Sequence, residues 1–132
     1  MVTDPRPSWD DYYLGIAVAA SRRADCTRRQ IGAIIVKNNR IISTGYNGAP
    51  SGKPGCLTNG ACPRGRFSND EISPGSSYDT GAGACIAIHA EQNAILRAGP
   101  ECHGAILYVT DVPCDGCARL IEGAEINRVV FP

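Results

Sequence analysis

The stretch Cys85 to Phe131, CIAIHAEQNAILRAGPECHGAILYVTDVPCDGCARLIEGAEINRVVF, carries two alternating patterns. Cys85, Ile88, Ala90, Ala94, Ile95 and Ala98 recur at helical spacing, and Gly99-Pro100 stops them. Ala105 to Thr110 is a continuous, mostly apolar run and reads as a buried strand. Pro113 then opens a helix to Glu122, because proline at the first helical position forfeits no hydrogen bond. Gly123 ends that helix, and Ile126 to Phe131 forms a last strand. Helix, strand, helix, strand in succession predicts parallel strands with helices packed on the sheet.

Upstream, Gln30 to Lys37 and Arg40 to Gly45 are two β-branched runs separated only by Asn38-Asn39, a pair that accepts the positive φ angles of a tight hairpin. These strands pair antiparallel. Ser8 and Asp11 resemble a capping box, and Trp9, Tyr12, Tyr13, Ile16, Ala17, Ala20 and Ala24 follow at helical spacing, which predicts a first helix over about 9–24. Between hairpin and second helix, residues 46–83 are rich in Gly, Pro, Ser, Asn and Cys without a sustained period. A connection that long is functional or clamped by something. The expected architecture is α/β, a three-layer α/β/α domain: a mixed sheet with an antiparallel first hairpin, the remaining strands parallel, and helices on both faces.

The 132 residues, 43% hydrophobic and 20% charged, have the proportions of one soluble globular domain spanning 1–132, and exclude disorder, coiled coil and collagen. A formal net charge of zero provides no broad field for a polyanion, so nucleic acid is not an expected partner. No apolar run has membrane-spanning length and the N-terminus lacks the apolar centre of a signal peptide, which sets the expected location as cytoplasmic, with no membrane partner. Seven cysteines are many for such a compartment, where clusters more often bind metal than form disulfides.

Chemistry concentrates in His89-Ala90-Glu91 and Pro113-Cys114-Asp115-Gly116-Cys117. An imidazole and two thiolates make a three-ligand set for tetrahedral zinc that keeps a fourth position open for water, the arrangement of catalytic rather than structural sites. Cys114 and Cys117 lie three apart near a helix start, so both sulfurs face one side and the positive end of the helix favours thiolate. His89 enters from the neighbouring helix. Two thiolates offset the metal's charge, so a nearby base has more to do, and Glu91 is that base. The combined signature is that of zinc deaminases acting on nucleobases. Taken separately, Cys-x-x-Cys also fits half of a structural zinc site or a redox pair, and His-x-Glu carries little information.

At these residues the sequence resembles the cytidine and deoxycytidylate deaminase superfamily, most closely its dCMP deaminase branch. The resemblance spans nearly the whole chain: Trp9 to Tyr13, Cys26 to Ala33, Ile41 to Gly52 with its Gly45-Tyr46-Asn47-Gly48 segment, and His89 to Ile95. It implies His89, Cys114 and Cys117 as zinc ligands and Glu91 as proton shuttle. It places Asn47 and Ala90 among the substrate contacts, although Asn47-Gly48 is also a common turn pair. A phosphate needs cationic or backbone donors, and Arg22, Arg23, Arg28 and Arg29 flank the first loop; Arg28 and Arg22 are the expected contacts.

Cys26, Cys56, Cys62 and Cys85 form a second constellation that can converge on a structural zinc clamping the long loop, as some dCMP deaminases carry. Their alternative role is as reduced, packed small hydrophobes. Cys102 beside His103 reads as an incidental surface pair. Family members commonly continue past the strand equivalent to 126–131, whereas this sequence ends at Pro132.

The expected function is zinc-dependent hydrolytic deamination of a cytosine nucleotide, dCMP + H2O to dUMP + NH3, in pyrimidine nucleotide metabolism. The same chemistry on cytidine, cytosine, guanine or transfer-RNA adenosine is the first alternative, and a non-catalytic zinc-binding protein the second. A homo-oligomer is expected from the resemblance alone.

Overall fold

The computed structural model describes residues 3–63 and 84–132; the part of the expected long loop at 64–83 lies outside them. Helix α1 covers Trp9–Ser21, strand β1 Gly32–Lys37, β2 Arg40–Tyr46, a short helix α2 Cys56–Asn59, and α3 Ala90–Ala98. A 3-10 turn over Gly99–Cys102 leads to β3 Ile106–Val109, α4 Asp115–Gly123 and β4 Arg128–Val130.

The four strands form one sheet in the order β2-β1-β3-β4. β1 is antiparallel to both neighbours, and β3 and β4 are parallel, so β2, β3 and β4 all run against β1. The hairpin turns on Asn38 and Asn39 at φ 52° and 58°, as that pair predicts. Central β1 is buried on both faces, which explains why its sequence is continuously apolar rather than alternating. Ala33 and Ile35 join Leu107 and Val109 against α3 and α4 residues such as Ala94, Ile95 and Ile121. Ile34 and Val36 join Tyr108 against Tyr13 and Ala17 of α1. The result is the expected three-layer α/β/α domain with a mixed sheet.

Several boundaries differ from the sequence reading: β1 starts at Gly32 rather than Gln30, and β4 covers Arg128–Val130 rather than 126–131. α1 ends at Ser21 rather than near 24, and the Ser21 hydroxyl donates to the Val18 carbonyl at 2.5 Å. α3 starts at Ala90 rather than at Cys85, because Ile88 exchanges two backbone hydrogen bonds with Gly48 and holds the approach extended. Pro113 precedes the N-cap Cys114 of α4 instead of occupying the first helical position. Cys102 is buried and its thiol points at the Ile95 carbonyl, while His103 is exposed and pairs with Glu125, so the two do not form a surface pair.

Candidate active site

Two helix starts meet at one end of the sheet. α3 is seated there by the Gly48–Ile88 bridge, by Asn93 Nδ2 donating to the Tyr46 carbonyl at 2.8 Å, and by Ser43 Oγ donating to the Ala94 carbonyl at 2.7 Å. β2 carries glycine where the helix crosses it: a Cβ on Gly45 would lie 2.3 Å from the Ala90 carbonyl oxygen and 2.6 Å from the Ala94 nitrogen. His89 is the N-cap residue of α3, and its backbone N–H donates to Gln92 Oε1 at 2.9 Å. Cys114 is the N-cap of α4, its sulfur accepting the Cys117 N–H at 3.4 Å.

These positions bring His89 Nδ1 to 3.2 Å from Cys117 Sγ and 3.6 Å from Cys114 Sγ. All three ligand atoms lie within 4.8 Å of one another. A tetrahedral zinc with bonds of about 2.0–2.1 Å to nitrogen and about 2.3 Å to sulfur spaces such atoms by roughly 3.5–3.8 Å. The donor set therefore fits zinc in both chemistry and spacing. Cys117 is fully buried and Cys114 exposed, so the triad has one protein-facing and one solvent-facing side. Burial pushes the Cys117 thiol well up, and the Glu91 carboxylate pushes it further; a cation at the triad reverses both effects.

Glu91, in the first turn of α3, is 3% exposed although charged residues are rarely buried unless paired. Ala90, between ligand and acid, is fully buried. Asn47, 7% exposed, accepts the Ile31 N–H through Oδ1 and donates through Nδ2 to the Arg29 carbonyl, both at 2.9 Å. Its amide thus brackets the backbone entering β1 and keeps one Nδ2 hydrogen and one Oδ1 lone pair beyond those bonds. Arg28 and Arg22 are exposed, Arg22 at the C-cap of α1.

Cys56 is buried, and its thiol is pushed up to about 12 by burial first and then by Cys62, Cys26 and Cys85. Cys62, Cys26 and Cys85 thus neighbour Cys56, whereas metal-ligand spacing among the described residues is found at the His89 triad. Cys26 Sγ accepts the N–H groups of Arg28 and Arg29, and Cys85 Sγ that of Ala87, all at 3.4 Å.

Two residues near the site, Asp25 and Asp111, escape the sequence reading, which names Arg29 only as one of four arginines flanking the first loop. Asp25 accepts the N–H groups of Leu57 and Thr58 at 2.9 Å and the Thr58 hydroxyl at 2.8 Å, which holds its carboxyl below the usual range and fastens α2. Its own N–H donates to the Asn47 carbonyl at 2.9 Å. Arg29 pairs through its guanidinium with Asp111, in the segment between β3 and Cys114. The sequence offers no local signal for either contact, which join residues 33 and 82 positions apart.

A family model described as the cytidine and deoxycytidylate deaminase zinc-binding region matches residues 7–132. A deoxycytidylate deaminase of Mycobacterium phage D29 is 52% identical over 129 residues, covering 96% of each chain. One of Schizosaccharomyces pombe is 43% identical over 96% of this chain but only 37% of its own length. Among solved structures, the dCMP deaminase of cyanophage S-TIM5 in complex with dCMP and dUMP aligns with a TM-score of 0.70 at 28% identity, over 97% of this chain and 83% of that one. With the zinc-compatible triad on its two helix starts, and with these matches over nearly its whole length, the chain belongs to the cytidine and deoxycytidylate deaminase zinc-binding family.

Proposed function

We propose that this chain is a zinc-dependent deaminase that hydrolyses dCMP to dUMP and ammonia, working as a single cytoplasmic domain. The observation that carries the chemistry is the His89, Cys114 and Cys117 triad with the buried Glu91 beside it. The choice of dCMP is supported by the 52%-identical relative and by the solved relative that contains dCMP and dUMP.

His89 Nδ1, Cys114 Sγ and Cys117 Sγ would hold the zinc, which would supply Lewis-acid activation of water. The protein's own groups do the rest. Glu91 takes one proton from the attacking water and delivers it to the ring nitrogen beside the attacked carbon, then takes the remaining proton of the attacking oxygen and delivers it to the departing amine, which leaves as ammonia. Its burial keeps competing water from those protons. Asn47, held by Ile31 and Arg29, presents its remaining amide hydrogen and lone pair to the sugar. Ala90 backs the base at the start of α3, and Arg28 and Arg22 supply positive charge for the phosphate. The enzyme acts as a homo-oligomer, for which the exposed Leu96 of α3 and Leu120 of α4 offer apolar surface.

A second, structural zinc held by Cys26, Cys56, Cys62 and Cys85 clamps the loop after β2. The backbone N–H donors at Cys26 and Cys85 Sγ repeat the one at Cys114 Sγ.

Ammonia release from dCMP, deoxycytidine, CMP and cytosine at equal concentration tests the function. Turnover of dCMP well above the others, reduced at least about 100-fold in Glu91→Ala, is the expected result. Preference for another substrate would discard dCMP and keep the chemistry; silence of the zinc-loaded protein on all four would favour a different base or a binding role. Metal analysis is expected to return about two zincs per chain, and a value near one would remove the clamp.

A further inference from the structure

Arg29 is fixed at three points. Its N–H donates to Cys26 Sγ at 3.4 Å, its carbonyl accepts Asn47 Nδ2 at 2.9 Å, and its guanidinium pairs with the Asp111 carboxylate. Asp111 belongs to the segment that leaves β3 and delivers Cys114, and its other oxygen accepts the Val112 N–H at 2.8 Å. The ion pair therefore spans from the Asn47 side of the site to the Cys114 side, beyond the carboxyl ends of β2 and β3, where open α/β sheets place ligands. Both side chains remain open to solvent, at 55% and 46% exposure, so the pair contributes little to folding.

A guanidinium fork recognises carboxylate and phosphate with the same geometry, and a monophosphate near neutral pH carries more charge than a carboxylate. We infer that Arg29 selects the monophosphate of the substrate, with Asp111 as the resting counter-anion that the phosphate displaces. The inference rests on the nucleotide reading above and deepens it. It assigns the decisive cation to Arg29, beside the Arg28 and Arg22 expected from sequence. The pairing also works as a filter: without Arg29, the Asp111 carboxylate faces the incoming dianion directly and repels it.

Two variants and two readouts test this. In Arg29→Gln, kcat/KM for dCMP is expected to fall at least tenfold while that for deoxycytidine stays within about threefold, as loss of a charge-assisted contact to phosphate alone dictates. In Arg29→Gln/Asp111→Asn, part of the dCMP loss is expected to return, because the repelling carboxylate is gone. Equal loss on both substrates would make Arg29 only a support for Asn47, and unchanged dCMP kinetics would overturn the assignment outright. Inorganic phosphate, titrated calorimetrically into the zinc-loaded protein, reads the contact without turnover: binding is expected to weaken at least tenfold in Arg29→Gln. Phosphate bound through Arg29 by a protein that does not turn over dCMP would sink the substrate reading and keep the Arg29 site. Phosphate binding that is undetectable in the unaltered protein, or equal in both, would overturn the proposal.

Discussion

At Cys114 one sulfur serves two local purposes: it accepts the Cys117 N–H as the N-cap of α4, and it stands 3.6 Å from His89 Nδ1. Serine is among the better N-cap residues, so Cys114→Ser preserves the first purpose and removes the second. The metal-free variant is expected to melt within a few degrees of the metal-free parent, by circular dichroism. Loss of an outlying partner of a ligand already weakens a metal site by about 10- to 100-fold, and loss of a ligand costs more. Zinc at the triad should therefore be gone after dialysis, and turnover with it; a variant that retained both would remove Cys114 from the ligand set. The triad and Glu91 were legible because each half of the motif sits in a first helical turn or cap, where spacing fixes which side chains share a side. Asn47 was only half legible, since its residue type announces a turn, whereas its bracket on Arg29 and Ile31 depends on how β2 meets the chain entering β1. Arg29 with Asp111 and Asp25 with Thr58 were not legible at all. Each pair joins residues of separate surface segments that only the folded chain brings together.

At the scale of elements, periodicity found every helix and strand of five residues or more among the described ones, and misplaced edges where a contact outside the element decides them. Extended pairing at Ile88 cuts α3 short, and an N-cap two residues later than expected moves Pro113 outside α4. The four-residue α2 has too few turns to show a period, and Asp25 from a distant loop supplies its cap. The seating of α3 on β2 is the contact on which the site most depends. A methyl group at Gly45 would meet backbone atoms, the Ala90 oxygen and the Ala94 nitrogen, and neither can swing aside as a side chain can. Gly45→Ala is expected to cost about 1–3 kcal/mol or more in urea unfolding, as overpacking does, and to lower activity by lifting the start of α3 away from α4. Unchanged stability would mean that helix and strand slide apart without cost.

At the scale of the whole molecule, the two ends of the domain are joined on the sheet face opposite the site. Asp10 of α1 accepts Arg128 NH1 of β4 at 3.0 Å and the Tyr108 hydroxyl of β3 at 2.8 Å, linking positions 118 apart in the chain. Arg128, and after it the Tyr108 hydroxyl, hold the Asp10 carboxyl below its usual range. Burial first, and then Asp10, push the Tyr108 phenol up to about 12. The signs follow from proton linkage. A carboxyl whose folded pKa is depressed contributes stability that is complete above its unfolded value near 4, and that disappears as pH falls through the lower folded value. A phenol whose folded pKa is raised contributes stability that is complete below about pH 10 and is lost as pH rises through about 12. Because Asp10 and Arg128 are 35% and 51% exposed, solvent screening keeps the contribution of the ion pair small. Asp10→Asn is expected to be slightly less stable than the parent from pH 5 to 9, with the two unfolding curves converging as pH falls through the parent's depressed carboxyl value and its carboxylate takes up a proton. Urea unfolding across that range measures it. A difference that persisted undiminished at pH 2 would show that Asp10 fastens α1 to β4 by shape and neutral hydrogen bonding, and that its charge contributes nothing to holding the outer layer on the sheet.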